Sequence, residues 1–152
     1  MSLNYVDGDI IKMGKERTID VLIHGANCWH KMGAGLALKV KRNWPEAYEQ
    51  DLLTPRGDKS KLGGFSWVKT QSGLIIVNAY TQYRYDRYNT VADLDAISNS
   101  FYGIAQFFGG HNLHFAFPLI GAGLAGGDFS EIAPIISQHI NSEKHSCVRF
   151  KK

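Results

Sequence analysis

The apolar triplet Val21-Leu22-Ile23 runs through His24-Gly25-Ala26-Asn27 into Gly33-Ala34-Gly35, after which the pattern turns helical. Three consecutive aliphatic side chains leave no polar face, so this strand is expected to be buried on both sides, in a sheet covered by helices. The small and polar residues that follow then lie at the C-terminal end of a central strand, where open α/β sheets place ligands. A second segment has the same form: Pro118-Leu119-Ile120 runs into Gly121, Gly123, Gly126 and Gly127. Glycine is unusually frequent, 16 of 152 residues, and much of it sits in these two loops. The loops are expected to face each other across one cleft.

The rest of the chain supplies the layers. Residues 3–11 read as a short strand, broken by Asp7-Gly8-Asp9, and residues 12–20 as a surface loop or short helical turn. Residues 34–53 repeat Leu36, Val40, Trp44 and Tyr48 four apart, which is helical, with Pro45 dividing the helix in two. After a turn-rich excursion over residues 54–64, residues 65–69 and 74–79 are strands that Gln71-Ser72-Gly73 joins as a hairpin. Residues 90–108 carry the clearest helical stripe, Leu94, Ile97, Phe101 and Phe108, with Thr90 and Asp93 as its start and Gly109-Gly110 as its stop. Residues 113–117 form a strand. Asp128 and Glu131 open a helix bearing Ile132, Ile136 and Ile140, and residues 146–150 make the last strand. The order β, β, α, β-β, α, β, α, β predicts a three-layer α/β/α sandwich around a mixed six-stranded sheet, one domain over residues 1–152.

Composition narrows the function. Seventeen basic against 14 acidic side chains leave a formal charge of +3, too small to point to nucleic acid and no obstacle to an anionic small molecule. Cys28 and Cys147 show no metal or disulfide spacing, and the histidines and carboxylates show no ligand pattern, so no metal or cofactor is expected. A signal peptide and a membrane-spanning run are both missing from the sequence, which sets a cytoplasmic, reducing location as the expectation. A monomer is expected. Glycines at a strand-to-helix turn let backbone amides approach an anion, and the helix start adds a favourable dipole. Neither loop is a GxxxxGK[ST] phosphate loop or a GxGxxG dinucleotide fingerprint.

Taken together, Gly8-Asp9-Ile10, the run from His24-Gly25-Ala26-Asn27-Cys28 to Met32-Gly33-Ala34-Gly35-Leu36-Ala37, Trp44-Pro45 with Tyr48, and Phe117-Pro118-Leu119-Ile120-Gly121-Ala122-Gly123-Leu124-Ala125-Gly126-Gly127 resemble the macro domain, the ADP-ribose-binding module. The resemblance spans nearly the whole chain and lies nearest to the small proteins that process ADP-ribose 1''-phosphate. It implies that Asp9 accepts a hydrogen bond from the adenine amino group with Ile10 beside it, although Asp9 equally suits a helix cap. It implies that Asn27 holds the distal ribose, where a plain turn asparagine is the alternative. Gly33, Ala34, Gly35 and Leu36, with Ile120, Gly121, Ala122, Gly123, Leu124 and Ala125, would wrap the diphosphate. Phe150 would stack on adenine or else belong to the core. Cys28 reads as a small buried hydrophobe rather than a nucleophile.

On this resemblance the expected reaction is hydrolysis of ADP-ribose 1''-phosphate to ADP-ribose and phosphate, with Asn27 orienting the distal ribose and His30 handling the proton. His24 is the second choice for that proton, and Asp128 is better explained as a helix cap. The alternatives are a non-catalytic reader of ADP-ribose, an O-acetyl-ADP-ribose deacetylase or an ADP-ribosyl hydrolase. The branch that cleaves glutamyl-linked ADP-ribose uses an aspartate and a lysine; here Ala125 stands at the aspartate position and residues 79–83 contain no lysine. Residues 80–88 hold Tyr80, Tyr83, Tyr85 and Tyr88 among Arg84 and Arg87, either a rim over the distal ribose or a solvent loop. RNA binding there is disfavoured by the small net charge.

Overall fold

The computed structural model describes residues 2–85 and 91–151, with Leu124 as backbone only. In chain order the elements are β1 (Tyr5–Gly8), α1 (Ile10–Glu16), β2 (Val21–Ala26), α2 (Gly35–Asn43), α3 (Pro45–Leu52), β3 (Phe65–Lys69), β4 (Ile75–Tyr80), α4 (Leu94–Phe108), β5 (Phe115–Phe117), α5 (Phe129–Ile140) and β6 (His145–Phe150). They build one six-stranded sheet in the order β1-β6-β5-β2-β4-β3. Every pairing is parallel except that of β3 with β4, the hairpin at the edge, so the sheet is mixed.

Strand alternation sorts the apolar residues into two cores. Val21 and Ile23 of β2, with Val77, Phe115 and Phe117 of its neighbours, face Ile97, Phe101 and Ile104 of α4 and Ile132, Ile136 and Ile140 of α5. Leu22, Ile76, Ala116 and Val148 face the opposite way, onto Ile10 and Ile11 of α1, Val40 of α2, and Trp44 and Ala47. Each such side chain, buried fully, stabilises the fold by about 1.5–3 kcal/mol. The Phe101 and Phe117 rings add an edge-to-face contact at 5.4 Å.

The starts of α1 and α4 differ from the sequence expectation. The first strand stops at Gly8, because Asp9 Oδ1 accepts from the N–H groups of Ile11 (3.0 Å) and Lys12 (3.4 Å) and starts α1 there. Ile10 and Ile11 are therefore helical, and the seven-residue helix runs on through residues 12–16 of the stretch read as a surface loop or short helical turn. In α4 the cap is Asp93, whose Oδ1 accepts from Ala96 N–H at 2.9 Å; Thr90 lies outside the described residues. Pro45 divides the α2–α3 region as expected. Trp44, the residue before proline, leaves the helical region at φ −138°, ψ 77°, and Pro45 opens α3.

This topology positions the site. From β1 the chain crosses to β2, passes to the edge strand β3, turns back into β4 beside β2, and then crosses to β5 and β6. The loop after β2 leads to α2 on one face of the sheet, while the loop after β5 leads to α5 on the other. Neighbouring strand ends whose loops diverge in this way open a crevice at the C-terminal edge. Among the described residues no helix is long and apolar enough to cross a membrane.

Candidate functional site

At that edge lies a cavity of about 860 Å³. Its wall is made by residues 24–27 of β2 and its end, Lys31, residues 33–37, Thr81 and Gln82 beyond β4, Tyr85, residues 118–123 and Ala125. The two glycine loops thus meet across one space. Of the expected site residues, Asn27, Gly33, Ala34, Gly35, Leu36, Ile120, Gly121, Ala122, Gly123 and Ala125 line it. The side chain of Leu124 is outside the described residues, as are Arg87 and Tyr88.

Both loops carry uncommitted amides. The cap residue of α2 is Ala34, which has no side-chain oxygen, so the first turn of the helix receives no side-chain hydrogen bond. In the second loop, internal bonds use the amides of Ile120, Ala122, Ala125, Gly126 and Gly127 but not those of Gly121 and Gly123. Gly121 has φ 83°, and a Cβ there would lie 2.7 Å from Ile132 Cδ1. Only glycine reconciles that backbone with the α5 core beneath it. The result is a pair of amide-rich turns, one at a helix N-terminus, suited to an anion.

Asn27, 6% exposed, is committed to its own loop. Its Oδ1 accepts from Trp29 N–H (2.8 Å) and Lys31 N–H (3.3 Å), and its Nδ2 donates to Lys31 O (2.7 Å). It therefore builds the turn and lines the cavity at once.

His30 does not line the cavity. Its Nε2 donates to Thr54 O at 2.7 Å, with Thr54 Oγ1 at 3.4 Å, and its own carbonyl accepts from Tyr48 OH at 2.9 Å. The ring is turned to the segment after α3, so the side chain expected to handle the proton is engaged outside the cavity wall. His24, at 1% exposure, is the imidazole in the wall. Asn78 donates through Nδ2 to Ala47 O (2.9 Å) and Ser66 Oγ (3.0 Å), so its Oδ1 is the acceptor toward His24 Nε2 at 2.6 Å. That arrangement puts the proton on Nε2 and leaves Nδ1 a bare acceptor, buried and without a hydrogen-bond partner. Burial holds the imidazole below its usual range, opposed chiefly by the Asn78 hydrogen bond, and so favours the neutral ring. Behind it the chain continues through Ser66 Oγ to Tyr80 OH (2.8 Å) and on to the buried Asp51 Oδ1 (2.7 Å). Burial also pushes the Tyr80 phenol up.

Asp9, Ile10 and Phe150 lie outside the cavity wall. Asp9 caps α1, and Ile10, 6% exposed, is spent on the core beneath α2. Phe150 is not in the core: it is 58% exposed, with Lys39 Nζ of α2 4.7 Å from its ring centroid. It pairs with Gly8 across β1 and β6, which sets it beside Asp9 at the same edge of the sheet. Cys28 is fully buried, its thiol pushed up by that burial against the pull of Lys61, in keeping with a packing role. Asp128 caps α5 through Ser130 N–H at 2.9 Å. Thr81 and Gln82 were not singled out for the wall from sequence, nor was Lys31, while Tyr85 lies in the stretch read as either a rim over the distal ribose or a solvent loop. The neighbouring position of β4 beside β2 would have found the first two, since both parallel strands end at one edge. Among the described residues no group of three or more metal-binding side chains is gathered.

No protein-family model matches the chain. It is 35% identical over 89 residues to an uncharacterised 17.5 kDa protein of Enterobacteria phage T4, and the match spans 56% of that relative's length and 55% of this chain. Among solved structures it is similar to a protein of unknown function from Bacteroides thetaiotaomicron, with a TM-score of 0.80, 24% identity and 99% of each chain covered. It is similar to the macrodomain of Mycobacterium tuberculosis DarG, with a TM-score of 0.77, 19% identity and 99% and 97% coverage. It also matches Thermosipho africanus DarTG in complex with ADP-ribose, with a TM-score of 0.77 and 19% identity, over 99% of this chain and 43% of that one. The chain has a macrodomain-like fold.

Proposed function

We propose that the cleft binds ADP-ribose and its derivatives. The observation that carries this reading is the meeting of two amide-rich glycine loops across a largely apolar cavity, with no carboxylate among the described residues that line it. The diphosphate takes the amides around Gly33–Gly35 and Gly121–Gly123, and the uncapped start of α2 favours its charge. Adenine lies toward Asp9 and Phe150, and the distal ribose toward Asn27. The likeness in fold to Thermosipho africanus DarTG, solved in complex with ADP-ribose, supports this class of ligand. Calorimetric titration tests it: ADP-ribose binds, and AMP binds at least about tenfold more weakly for want of the second phosphate and the distal ribose. No heat with ADP-ribose at millimolar protein-to-ligand range would sink the reading.

One observation favours a catalytic reading of the same cleft, namely that His24, whose Nδ1 has no hydrogen-bond partner, is among the residues of its wall. In hydrolysis of ADP-ribose 1''-phosphate, His24 takes a proton from the attacking water as its oxygen bonds to phosphorus. It then returns that proton to the ribose oxygen as the P–O bond breaks. Deacetylation of O-acetyl-ADP-ribose or removal of a linked ADP-ribosyl group uses the same base against a different bond. Phosphate release from ADP-ribose 1''-phosphate by wild type, His24→Phe and His30→Ala separates reader from enzyme. Loss in the first variant and retention in the second is the expected result, and binding without turnover in the wild type leaves the reader.

A further inference from the structure

Among the described residues that line the cavity, Lys31 alone is formally charged. Its backbone is fixed from below, because the Asn27 amide takes its N–H (3.3 Å) and donates to its carbonyl (2.7 Å). The exposed ammonium therefore leaves from a set point. It lies 5.9 Å from the ring centroid of Tyr85, itself a wall residue, and makes no ion pair among the described residues. An exposed ammonium with no carboxylate partner among the described residues, on a wall whose described residues include no carboxylate, is an open place for an anion.

The order of strand ends says which part of a ligand it meets. Across the C-terminal edge run β1 and β6 with Asp9 and Phe150, then β5 and β2 with the glycine loops, then β4, followed by Thr81, Gln82 and Tyr85. Lys31 sits against Tyr85, on the β4 side. With adenine at β1 and β6 and the diphosphate on the two loops, the group beyond the distal ribose is the one left for Lys31. We propose that Lys31 reads the charge carried on the distal ribose, favouring an anionic substituent, a phosphate monoester above all, over an uncharged one. The inference rests on the ADP-ribose reading above and names the derivative that the cleft selects.

The test uses a 1''-phosphonate analogue of ADP-ribose, in which carbon replaces the bridging oxygen so that the anion cannot be released. Wild type, Lys31→Met and Lys31→Arg are each titrated with ADP-ribose and with the phosphonate. The wild type prefers the phosphonate by about tenfold, as expected of one added ion pair at a partly exposed site, and the preference shrinks as salt is raised. Lys31→Met brings the ratio of the two affinities near one, and Lys31→Arg restores most of it. A ratio unchanged in Lys31→Met overturns the inference, including the case in which both ligands weaken together because the ammonium serves the diphosphate. Failure of the wild type to bind ADP-ribose at all would instead remove the binding reading on which it stands.

Discussion

His24 is a buried imidazole whose neutral form the fold requires, and its protonation therefore opposes folding. Its pKa in the folded state lies below the ordinary value of about 6.5, so as pH falls through that value the unfolded chain takes up the proton first. Stability from the neutral ring is present above about pH 6.5 and is lost as pH falls toward the folded pKa, by up to about 1.4 kcal/mol per pH unit. Urea unfolding from pH 8 to 5 is expected to show this slope, and His24→Gln to flatten it. His114 and His139, also held low by burial, slope the same way in both proteins, so the difference curve isolates His24. Asp9 is a second single-residue test. Asp9→Ala removes the α1 cap and is expected to lower stability by about 1 kcal/mol, whereas Asp9→Asn keeps it. If Asp9 also meets adenine, Asp9→Asn weakens ADP-ribose binding at nearly unchanged stability. The sequence could show that a histidine lies near Asn27 but not which ring faces the cleft. His24 follows Leu22 by two along a strand and shares its face, whereas His30 sits in a turn at φ 60°, a direction no spacing rule reports.

Among the elements, α1 shows best what pattern reading loses. Seven residues with only Ile10, Ile11 and Gly14 buried are too few to display a helical period, although Asp9, assigned to adenine by the resemblance, was also read as the cap that it forms. Gly14 tells the same story from the packing side. A Cβ there would lie 2.9 Å from Trp44 Cη2 and 3.2 Å from Leu74 Cδ2, both in the core. Gly14→Ala raises helix propensity by about 1 kcal/mol, yet is expected to destabilise by roughly 1–3 kcal/mol because the rings cannot retreat. Chemical denaturation of the single variant decides between the two terms. By contrast β2, α4 and α5 were legible because each is long or apolar enough to carry its own period. So were the two glycine loops, and Gly121→Ala is expected to move the second loop off Ile132 and weaken ADP-ribose binding about tenfold, read by titration.

At the scale of the whole molecule, a ligand held between the β2 and β5 loops clamps structures that belong to opposite layers. ADP-ribose at about 100 times its dissociation constant is expected to stabilise the folded chain by about 2.7 kcal/mol, a rise in melting temperature of roughly 5–10 °C. A thermal scan with and without ligand checks it, with AMP as the control. The mixed sheet was legible from the order of elements, whereas the strand order was not, since no periodicity tells which strands become neighbours. That order has a kinetic side. In the sheet β1 bonds only to β6, and the ion pair that ties them joins Arg149 and Asp7, 142 residues apart. As the chain is synthesised, β1 emerges ahead of every other strand and has no partner until nearly all the rest has appeared. The β3–β4 hairpin and β2 can assemble meanwhile, but closing so long a loop costs entropy that only the finished core repays. Pulse-labelled hydrogen exchange during refolding should find the β4 amides protected before those of β1, so that the first strand to be made is the last to be bonded.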